Sequence, residues 1–404
     1  MVIDVIYEVK DLDDFGRGIV NVDSKICFVK NALPKEKIKL KLIKNKKNYS
    51  EAIVEEYVKT SSKRIKPRCK YYHVCGGCQL EHLKIEDENK YKLKKVEDIL
   101  NKFAHINLKI TKISCGKEYS YRNKITLNII DGKICLFKEK SNDFVEIEQC
   151  PLVEDKINEV ISKLKDIVKE EKGITKIMLR LGNYTNEMML KIEGKVQDKT
   201  KFLSLANSVI INNKPIKNDV ITSTILNYQY LVSGDSFFQI NREVVEMMYA
   251  KIVELIRKSN AQNVLDLYCG VGTIAITISK YVKRVIGIEV VEDAIKNAEK
   301  NKVLNQVSNV DFICGKVEDV ISNKRFICDT IIVDPPRRGI DKKAITILNN
   351  SHAKTIIYIS CDPVTLARDI NKLDAYEAKH VELFNMFPRT YHVECCSLLS
   401  LKEN

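Results

Sequence analysis

The sequence lacks any run of about 18 uncharged apolar residues, the length that a membrane-spanning helix needs, so we expect no integral membrane protein. The first residues include the acids Asp4, Glu8 and Asp11 and no apolar segment, so we expect no secretory signal peptide. Repeats and low-complexity tracts are absent, and hydrophobic (45%) and charged (30%) residues occur in globular proportions, which excludes a disordered chain. The prediction is a cytoplasmic, globular chain without membrane contact, of about two to four domains.

Cysteine and positive charge, in contrast, are abundant. Thirteen cysteines, an odd number in a long chain, indicate a reducing compartment, where clustered cysteines serve metal binding or catalysis more often than disulfides. The net charge is +13, and residues 25–70 alone contain 15 Lys and Arg against 4 Asp and Glu. Such a concentration of charge suits a surface that binds nucleic acid. The alternative is a solvated, lysine-rich face without a ligand.

Hydrophobic patterning divides the chain into three predicted domains. Residues 1–60 alternate apolar and polar positions in short runs, which predicts a small β-barrel of the OB type that binds RNA. Residues 61–235 hold a cysteine-rich loop and a mixed α+β central domain, with helices expected over 86–104, near 152–171 and near 199–210. Residues 236–404 alternate strands with amphipathic helices. That rhythm predicts an α/β, doubly wound Rossmann-like sheet that binds ligands at the carboxyl ends of its strands.

The first strand of this last domain leads into a glycine-containing turn, NVLDLYCGVGT, over residues 263–273. Gly270 and Gly272 allow the backbone to approach a ligand at the start of the next helix. Glu289 follows at the end of the second strand, where an acid can accept hydrogen bonds from ribose hydroxyls. The third glycine of a dinucleotide-binding turn is missing, which suits a ligand without pyrophosphate, such as S-adenosylmethionine. The alternative is a tight turn with Glu289 on the surface.

Three further residues with reactive side chains follow predicted strands. Asp334 precedes two prolines, which fix the path of the chain and can hold its carboxylate rigidly. Cys361 lies just beyond a strand, where a thiolate could attack an electrophile, although many such cysteines are small core residues. Glu394 lies in a strand-like run and either faces solvent or belongs to a site; His392 would share its face of that strand.

These segments resemble, in the same order and over nearly the whole chain, the RNA uracil-C5 methyltransferases that form 5-methyluridine, and in particular their iron–sulfur-containing 23S ribosomal RNA branch. The matching motifs are FFQIN (237–241), DLYCGVG (266–272), DPPR (334–337), SCDP (360–363) and HVE (392–394). The resemblance implies a TRAM-like N-terminal barrel. Two departures are Asp362, where the family usually has asparagine, and Thr273, where many members have asparagine.

The resemblance also implies roles for individual residues. S-adenosylmethionine would be held by four side chains and by the backbone at Gly270. Those side chains are Gln239, Tyr268, Glu289 and Asp334. Cys361 would be the catalytic nucleophile and Glu394 the general base.

A cysteine cluster lies between the predicted barrel and the central domain. Cys69, Cys75 and Cys78 have the spacing C-x5-C-x2-C, and Cys150 is a plausible fourth ligand 72 residues further on. Four thiolates suit a 4Fe–4S cluster or a zinc ion, and the residues themselves do not decide between them. The resemblance favours the 4Fe–4S cluster, with these four cysteines as its ligands. Methyl transfer from a sulfonium needs no electrons, so we expect a structural and RNA-contacting role.

The sequence thus predicts a monomeric, S-adenosylmethionine-dependent RNA (uracil-5-)-methyltransferase acting on 23S ribosomal RNA. Transfer RNA is the alternative substrate, and a non-catalytic iron–sulfur RNA-binding protein is the alternative function. The segment 119–124, YSYRNK, mixes aromatic and basic residues and suits either RNA contact or a solvated strand edge.

Overall fold

The computed structural model describes residues 2–403, which form two compact units. The first unit contains the chain up to Lys95 together with Leu136–Val145 and Phe387–His392, and the remainder forms the second unit. Residues 1 and 404, the outer ends of the first and last predicted domains, lie outside the described residues. The three-domain division stays a prediction. Within residues 2–403, none of the helices has the length and hydropathy needed to cross a bilayer.

The first unit begins with a curled six-stranded sheet in the order β1-β5-β6-β4-β3-β2. Its strands are β1 (Val2–Glu8), β2 (Asp11–Leu12), β3 (Gly18–Val22), β4 (Lys25–Lys30), β5 (Lys37–Asn45) and β6 (Tyr49–Lys59). Alternate residues of these strands point to one face and bury Val20, Val29 and Leu40 in a common core. The period-two alternation of the sequence therefore produces the expected barrel-like sheet.

The cysteine-rich segment that follows contains turns and isolated bridges rather than regular elements. It leads into α1 (Ile85–Ala104), which confirms the helix expected over residues 86–104. Glu88 and Lys92 of this helix are fully buried and form an ion pair with Nζ–Oε1 at 2.8 Å. The backbone N–H of Arg389 donates to the same carboxylate, at 3.1 Å from each oxygen, which fixes the Phe387–His392 segment within the first unit.

A seven-stranded sheet, in the order β10-β9-β8-β11-β12-β13-β14, forms the centre of the chain. Its strands are β8 (Lys124–Ile130), β9 (Lys133–Phe137), β10 (Phe144–Glu146), β11 (Ile174–Leu181), β12 (Met188–Gly194), β13 (Ser208–Ile211) and β14 (Lys214–Lys217). The helix α2 (Asp155–Glu170) buries one apolar face, as expected near 152–171. The helix expected near 199–210 is wrong beyond one turn, α3 (Thr200–Leu203). Residues 208–211 extend the sheet as β13 instead, because the run SVII is β-branched and buried on both faces.

The last part of the chain forms an eight-stranded sheet in the order β19-β18-β17-β20-β21-β23-β22-β7. Its strands are β7 (Ile113–Cys115), β17 (Asn263–Leu267), β18 (Arg284–Glu289), β19 (Val310–Cys314), β20 (Thr330–Val333), β21 (Thr355–Ser360), β22 (Tyr376–Asn385) and β23 (Glu394–Leu401). A hairpin of β15 (Val220–Ile225) and β16 (Tyr228–Ser233) precedes it. The helices are α4 (Arg242–Lys258), α5 (Thr273–Ile278), α6 (Glu292–Leu304), α7 (Val317–Asn323), α8 (Lys342–Asn349) and α9 (Pro363–Ile370).

This sheet confirms the predicted doubly wound architecture. The strands β17 to β21 are parallel, and β22 and β23 close one side in antiparallel fashion. The strand order reverses at β17, which has β18 on one side and β20 on the other. In such sheets the carboxyl ends of the strands around the reversal open into the ligand-binding crevice. The fold therefore brings the ends of β17, β18, β20 and β21 to one edge.

Candidate active site

A cavity lies at this edge, beside the carboxyl ends of β17 and β20. The residues that line it include Phe237, Gln239, Tyr249, Tyr268, Gly270 and Asp334. Four of the five residues expected to hold S-adenosylmethionine therefore surround one space, although 95 residues separate Gln239 from Asp334. The fifth, Glu289, adjoins the cavity through a hydrogen bond to Gly270.

The turn after β17 has an unusual backbone. Tyr268, Gly270 and Gly272 all have positive φ values, of 64°, 55° and 80°. A β-carbon on Gly272 would lie 2.6 Å from the Phe312 ring, whereas the space beside Gly270 is open for 4 Å. Gly272 thus allows close packing of the turn on the sheet, and Gly270 leaves room for a ligand against the backbone.

Glu289 holds this turn in place from the end of β18. Its Oε2 accepts a hydrogen bond from the Gly270 N–H at 3.2 Å, and its Oε1 accepts one from the Val291 N–H at 2.9 Å. An ionised carboxylate has about four acceptor positions, so two remain for the hydroxyls of a ligand. The alternative that Glu289 is a surface residue without a role does not describe it well. Glu289 is only partly exposed, and it accepts a hydrogen bond from the turn that borders the cavity.

Three carboxyl groups make the site strongly acidic. Burial raises the pKa of Asp334 to about 7. Burial, with the adjacent charge of Asp334, raises the pKa of Asp266 and of Glu394 well above the usual range. In the described residues neither oxygen of Asp266 has a hydrogen bond of ordinary geometry. Buried acids that destabilise one another's charge favour a cationic ligand. No role was predicted for Asp266 from the sequence, although it begins the motif DLYCGVG and is an acid inside an apolar strand.

Gln239 enters the cavity from a segment that the central sheet holds. The amide Nδ2 of Asn123 donates to the carbonyl oxygen of Gln239 at 3.0 Å, and the Asn123 N–H donates to that of Ile240 at 2.9 Å. Asn241 then caps α4, its side chain accepting from the Val244 N–H. These bonds fix the FFQIN backbone and leave the Gln239 side chain to face the cavity.

Cys361 and Glu394 come together through strand pairing. In the antiparallel pair β21–β23, Ser360 lies opposite Cys395, and the chain continues to Cys361 just beyond β21. Glu394, the residue before Cys395, is close enough for its charge to raise the pKa of the Cys361 thiol. Glu394 is 5% exposed, so it does not face solvent, and Cys361 remains partly accessible. His392 precedes the strand, which begins at Glu394, so the expected shared face is wrong.

The thiol of Cys361 is surrounded mainly by acids. Burial raises its pKa to about 11, with further increases from Glu394, Asp334 and Asp362, while Arg337 lowers it. Arg337 also lowers the pKa of Glu394. It is therefore the positive charge that favours the ionised forms of both groups. We noted Arg337 in the sequence only as part of a motif, and the structure shows its electrostatic effect.

The departure at Asp362 has a structural counterpart. Its side chain caps α9 by accepting hydrogen bonds at 3.0 Å from the backbone N–H groups of Val364 and Thr365. Asparagine caps helices equally well. The additional charge raises the pKa of Cys361, but its contribution ranks behind those of burial and of the other nearby charges.

We predict that alkylation of Cys361 by iodoacetamide accelerates about tenfold per pH unit from pH 7 to pH 10, because only the thiolate reacts and the thiol pKa is about 11. Arg337→Gln should slow the reaction at pH 8 and Asp362→Asn should accelerate it, since these substitutions raise and lower the pKa respectively. Mass spectrometry of the peptide containing Cys361 measures the alkylation rate of the wild-type chain and of each variant. A rate that levels off near pH 8, or the same change in both variants, would contradict the electrostatics described above.

The four cysteines of the predicted metal centre have separate surroundings in the structure. The Cys75 sulfur accepts a hydrogen bond from the Gly77 N–H at 3.4 Å, and the Cys69 N–H donates to Glu81 at 2.8 Å. Cys150 belongs to the second unit, where Asn158 bonds both its N–H and its carbonyl oxygen. Among residues 2–403, no group of three or more His, Cys, Asp or Glu side chains is arranged to hold a metal ion. The predicted metal centre is therefore not shown.

The chain is similar to known RNA methyltransferases along its whole length. The model of the tRNA (uracil-5-)-methyltransferase family matches residues 204–402. An uncharacterized RNA methyltransferase of Listeria innocua is 31% identical, covering 98% of this chain and 97% of the relative. One of Clostridium acetobutylicum is 32% identical, covering 97% and 95%. The crystal structure of Pyrococcus abyssi tRNA (uracil-54, C5)-methyltransferase with S-adenosyl-L-homocysteine matches with a TM-score of 0.83 and 28% identity, covering 97% of this chain and 99% of that one.

Proposed function

This chain belongs to the S-adenosylmethionine-dependent RNA (uracil-5-)-methyltransferases, and we propose that it forms 5-methyluridine with Cys361 as nucleophile and Glu394 as general base. The observation that supports these roles is their juxtaposition across the β21–β23 ladder, beside Asp334 and the cavity. A thiol next to a buried carboxyl, at the edge of a ligand-binding crevice, is what the reaction needs.

The chemistry of uracil explains why two residues are required. Its C5 is a poor nucleophile until the Cys361 thiolate adds to C6 and converts the ring into an enolate. C5 then takes the methyl group, which S-adenosylmethionine supplies as an electrophile on a sulfonium. The ring must next lose its C5 proton to the Glu394 carboxylate, and the electrons of that bond expel the Cys361 thiolate from C6. Because the cysteine is bonded to the ring at that stage, it cannot be the base.

The acidic cavity supports binding of that methyl donor. Asp266 and Asp334 are buried acids whose ionised forms a sulfonium or ammonium group would stabilise. Gln239 and Tyr268 line the same space, and Glu289 retains acceptor positions for ribose hydroxyls. Arg337 would favour the ionised forms of Cys361 and Glu394 that the two steps use.

We infer a uridine of 23S ribosomal RNA as the first candidate target, because the sequence resembles the iron–sulfur-containing 23S ribosomal RNA branch of the family. The Pyrococcus abyssi enzyme acts on uridine 54 of transfer RNA, and the similarity to it supports transfer RNA as the second candidate. Nucleoside analysis and site mapping of both RNAs from a deletion strain test the proposal. Loss of 5-methyluridine from one of them, restored by the wild-type chain, identifies the substrate. Unchanged 5-methyluridine in both RNAs would refute the proposed activity.

We also propose that Cys69, Cys75, Cys78 and Cys150 hold a 4Fe–4S cluster that stabilises the fold. The chemistry of the donors supports it, because the Gly77 N–H points at the Cys75 sulfur as N–H groups do toward cluster thiolates. Burial raises the pKa of Cys75, so a positive centre would be needed to keep that thiolate ionised.

Anaerobic purification should then give about four iron and four sulfide per chain. Cys78→Ala should lose that iron and lower the melting temperature, whereas Cys314→Ala, at an exposed cysteine, should retain it. Elemental analysis and visible absorption measure the outcome. Zinc in place of iron would overturn the cluster but keep the thiolate site, and a wild-type chain without metal would overturn both.

A further inference from the structure

Basic side chains gather on one face of the seven-stranded sheet. Arg180 in β11 lies opposite Lys124 of β8 on one side and Met189 of β12 on the other. Directly opposite residues share a face, and Lys191 lies on that face because it is two residues beyond Met189. Lys124, Arg180 and Lys191 therefore project together. We name these three residues, with Arg122, the basic cluster.

The basic cluster lies against the segment that leads into the cavity. The guanidinium of Arg180, which is 2% exposed, donates to the carbonyl oxygens of Ser233 at 2.9 Å and Ser236 at 2.8 Å. The chain then continues into Gln239, whose carbonyl oxygen accepts from Asn123, the residue before Lys124. These bonds place the basic cluster beside the segment that carries Gln239 to the donor cavity.

The positive charge of the cluster is poorly compensated. The carboxylate of Asp235 offsets part of this charge by forming an ion pair with Lys191. The Asp235 side chain is 82% exposed. Arg122 uses its Nε to bond the Lys124 carbonyl oxygen at 2.9 Å. Among the described residues no carboxylate forms an ion pair with Lys124. Burial, and then the neighbouring charge of Arg180, lower the pKa of Lys124 to about 8. An anion in this place would relieve that repulsion.

We propose that the basic cluster binds a backbone phosphate of the RNA, close to the uridine that reacts with Cys361. The proposal rests on the proposed function for the nature of the ligand. A phosphate oxygen would pair with Lys124 and Lys191, in place of the Asp235 carboxylate. Arg180 would act through its bonds to the Ser233–Ser236 segment, where it is a positioning residue rather than a ligand. Phosphate contacts of this kind set the register of the strand and leave the choice of base to the groups around Cys361 and Glu394.

Affinity for unmodified transcripts of tRNA and of large-subunit rRNA tests this site, measured with Cys361→Ala protein between 50 and 200 mM salt so that no reaction interferes. Lys124→Ala should weaken binding about tenfold and reduce the slope of log K against log salt by about 1. Lys124→Arg should retain both affinity and slope. Asp235→Asn should tighten binding severalfold, because it removes the competing carboxylate. A merely structural role of these residues would not give effects of opposite sign.

Lys176→Ala is the matched control. Lys176 lies on the same strand and face as Arg180 but is already paired with Glu193 at 2.8 Å, so its loss should leave the affinity for RNA unchanged. Binding of S-adenosylhomocysteine should be the same in all variants. Unchanged affinity and salt slope in Lys124→Ala, or weaker binding in Asp235→Asn, would overturn the phosphate site. The RNA affinities and their salt slopes do not depend on methylation. A failure of the proposed reaction would therefore be distinguished from a failure of the phosphate site.

Discussion

Replacement of Cys361 by alanine should abolish 5-methyluridine formation, with a loss on the order of 10⁴-fold or more. The nearby cysteines of β23 cannot replace it, because Cys395 and Cys396 are buried, with 0% and 1% exposure. The substitution removes a partly exposed thiol whose environment is mostly polar, so we expect stability and binding of S-adenosylhomocysteine to change little. Incorporation of a labelled methyl group into RNA measures the effect.

RNA containing 5-fluorouridine gives the same prediction a direct readout. The wild-type chain should form a covalent protein–RNA adduct with it in the presence of the methyl donor, because fluorine at C5 cannot leave as a proton does. Cys361→Ala should form none, and mass spectrometry should locate the wild-type bond at Cys361. Cys314→Ala is a suitable control, because Cys314 is exposed and distant in sequence from the proposed nucleophile. An adduct that persists in Cys361→Ala would show that another residue is the nucleophile.

Replacement of Glu394 by glutamine should slow turnover by about 10²–10⁴-fold, the usual contribution of a general base. The reason is that burial raises the pKa of Glu394, which makes its carboxylate a stronger base, and an amide cannot accept the C5 proton. Methyl transfer precedes proton removal, so the variant should accumulate a methylated covalent adduct with ordinary RNA. Gel separation of protein–RNA adducts and single-turnover methyl transfer distinguish the two steps.

The wild-type activity should also fall with decreasing pH as Glu394 and Asp334 become protonated. The pKa of Asp334 is about 7, so its ionised form, which favours a cationic ligand, is lost below that pH. Glu394→Gln should remove the dependence of proton removal on pH but retain that of binding the methyl donor. If Glu394→Gln turned over normally and formed no adduct, Glu394 would not be the base.

Local sequence patterns predicted much of the fold. The helices α1, α2 and α4 and the alternation of strands from β17 to β21 follow from hydrophobic periods that neighbouring residues determine. The prediction over 199–210 was wrong because a short apolar run suits either a helix or a buried strand, and pairing of β13 with β12 decided the matter. The expected common face of His392 and Glu394 was wrong for a similar reason, since strand β23 begins only at Glu394.

Several properties of the site come from long-range contacts. The pKa of Asp266, the first residue of the DLYCGVG motif, is raised by burial and by the charge of Asp334, which lies 68 residues away in the sequence. Likewise, the influence of Arg337 on both Cys361 and Glu394 is a matter of three-dimensional proximity. The sequence shows that these ionisable residues exist. The pKa values of Asp266, Cys361 and Glu394 depend on burial and on charged residues that only the fold brings near them.

By itself, the sequence determined the type of fold, the motifs that identify the family and the side chains available for chemistry, because these depend on residue types and on short-range periodicity. Only the tertiary structure decided that Glu394 is buried beside Cys361, that the buried acid Asp334 lines the cavity and that Lys124 lies among other cations. The physical reason is that a β-ladder joins residues without regard to their separation in the chain. Burial then changes the free energy of every charge that the ladder encloses.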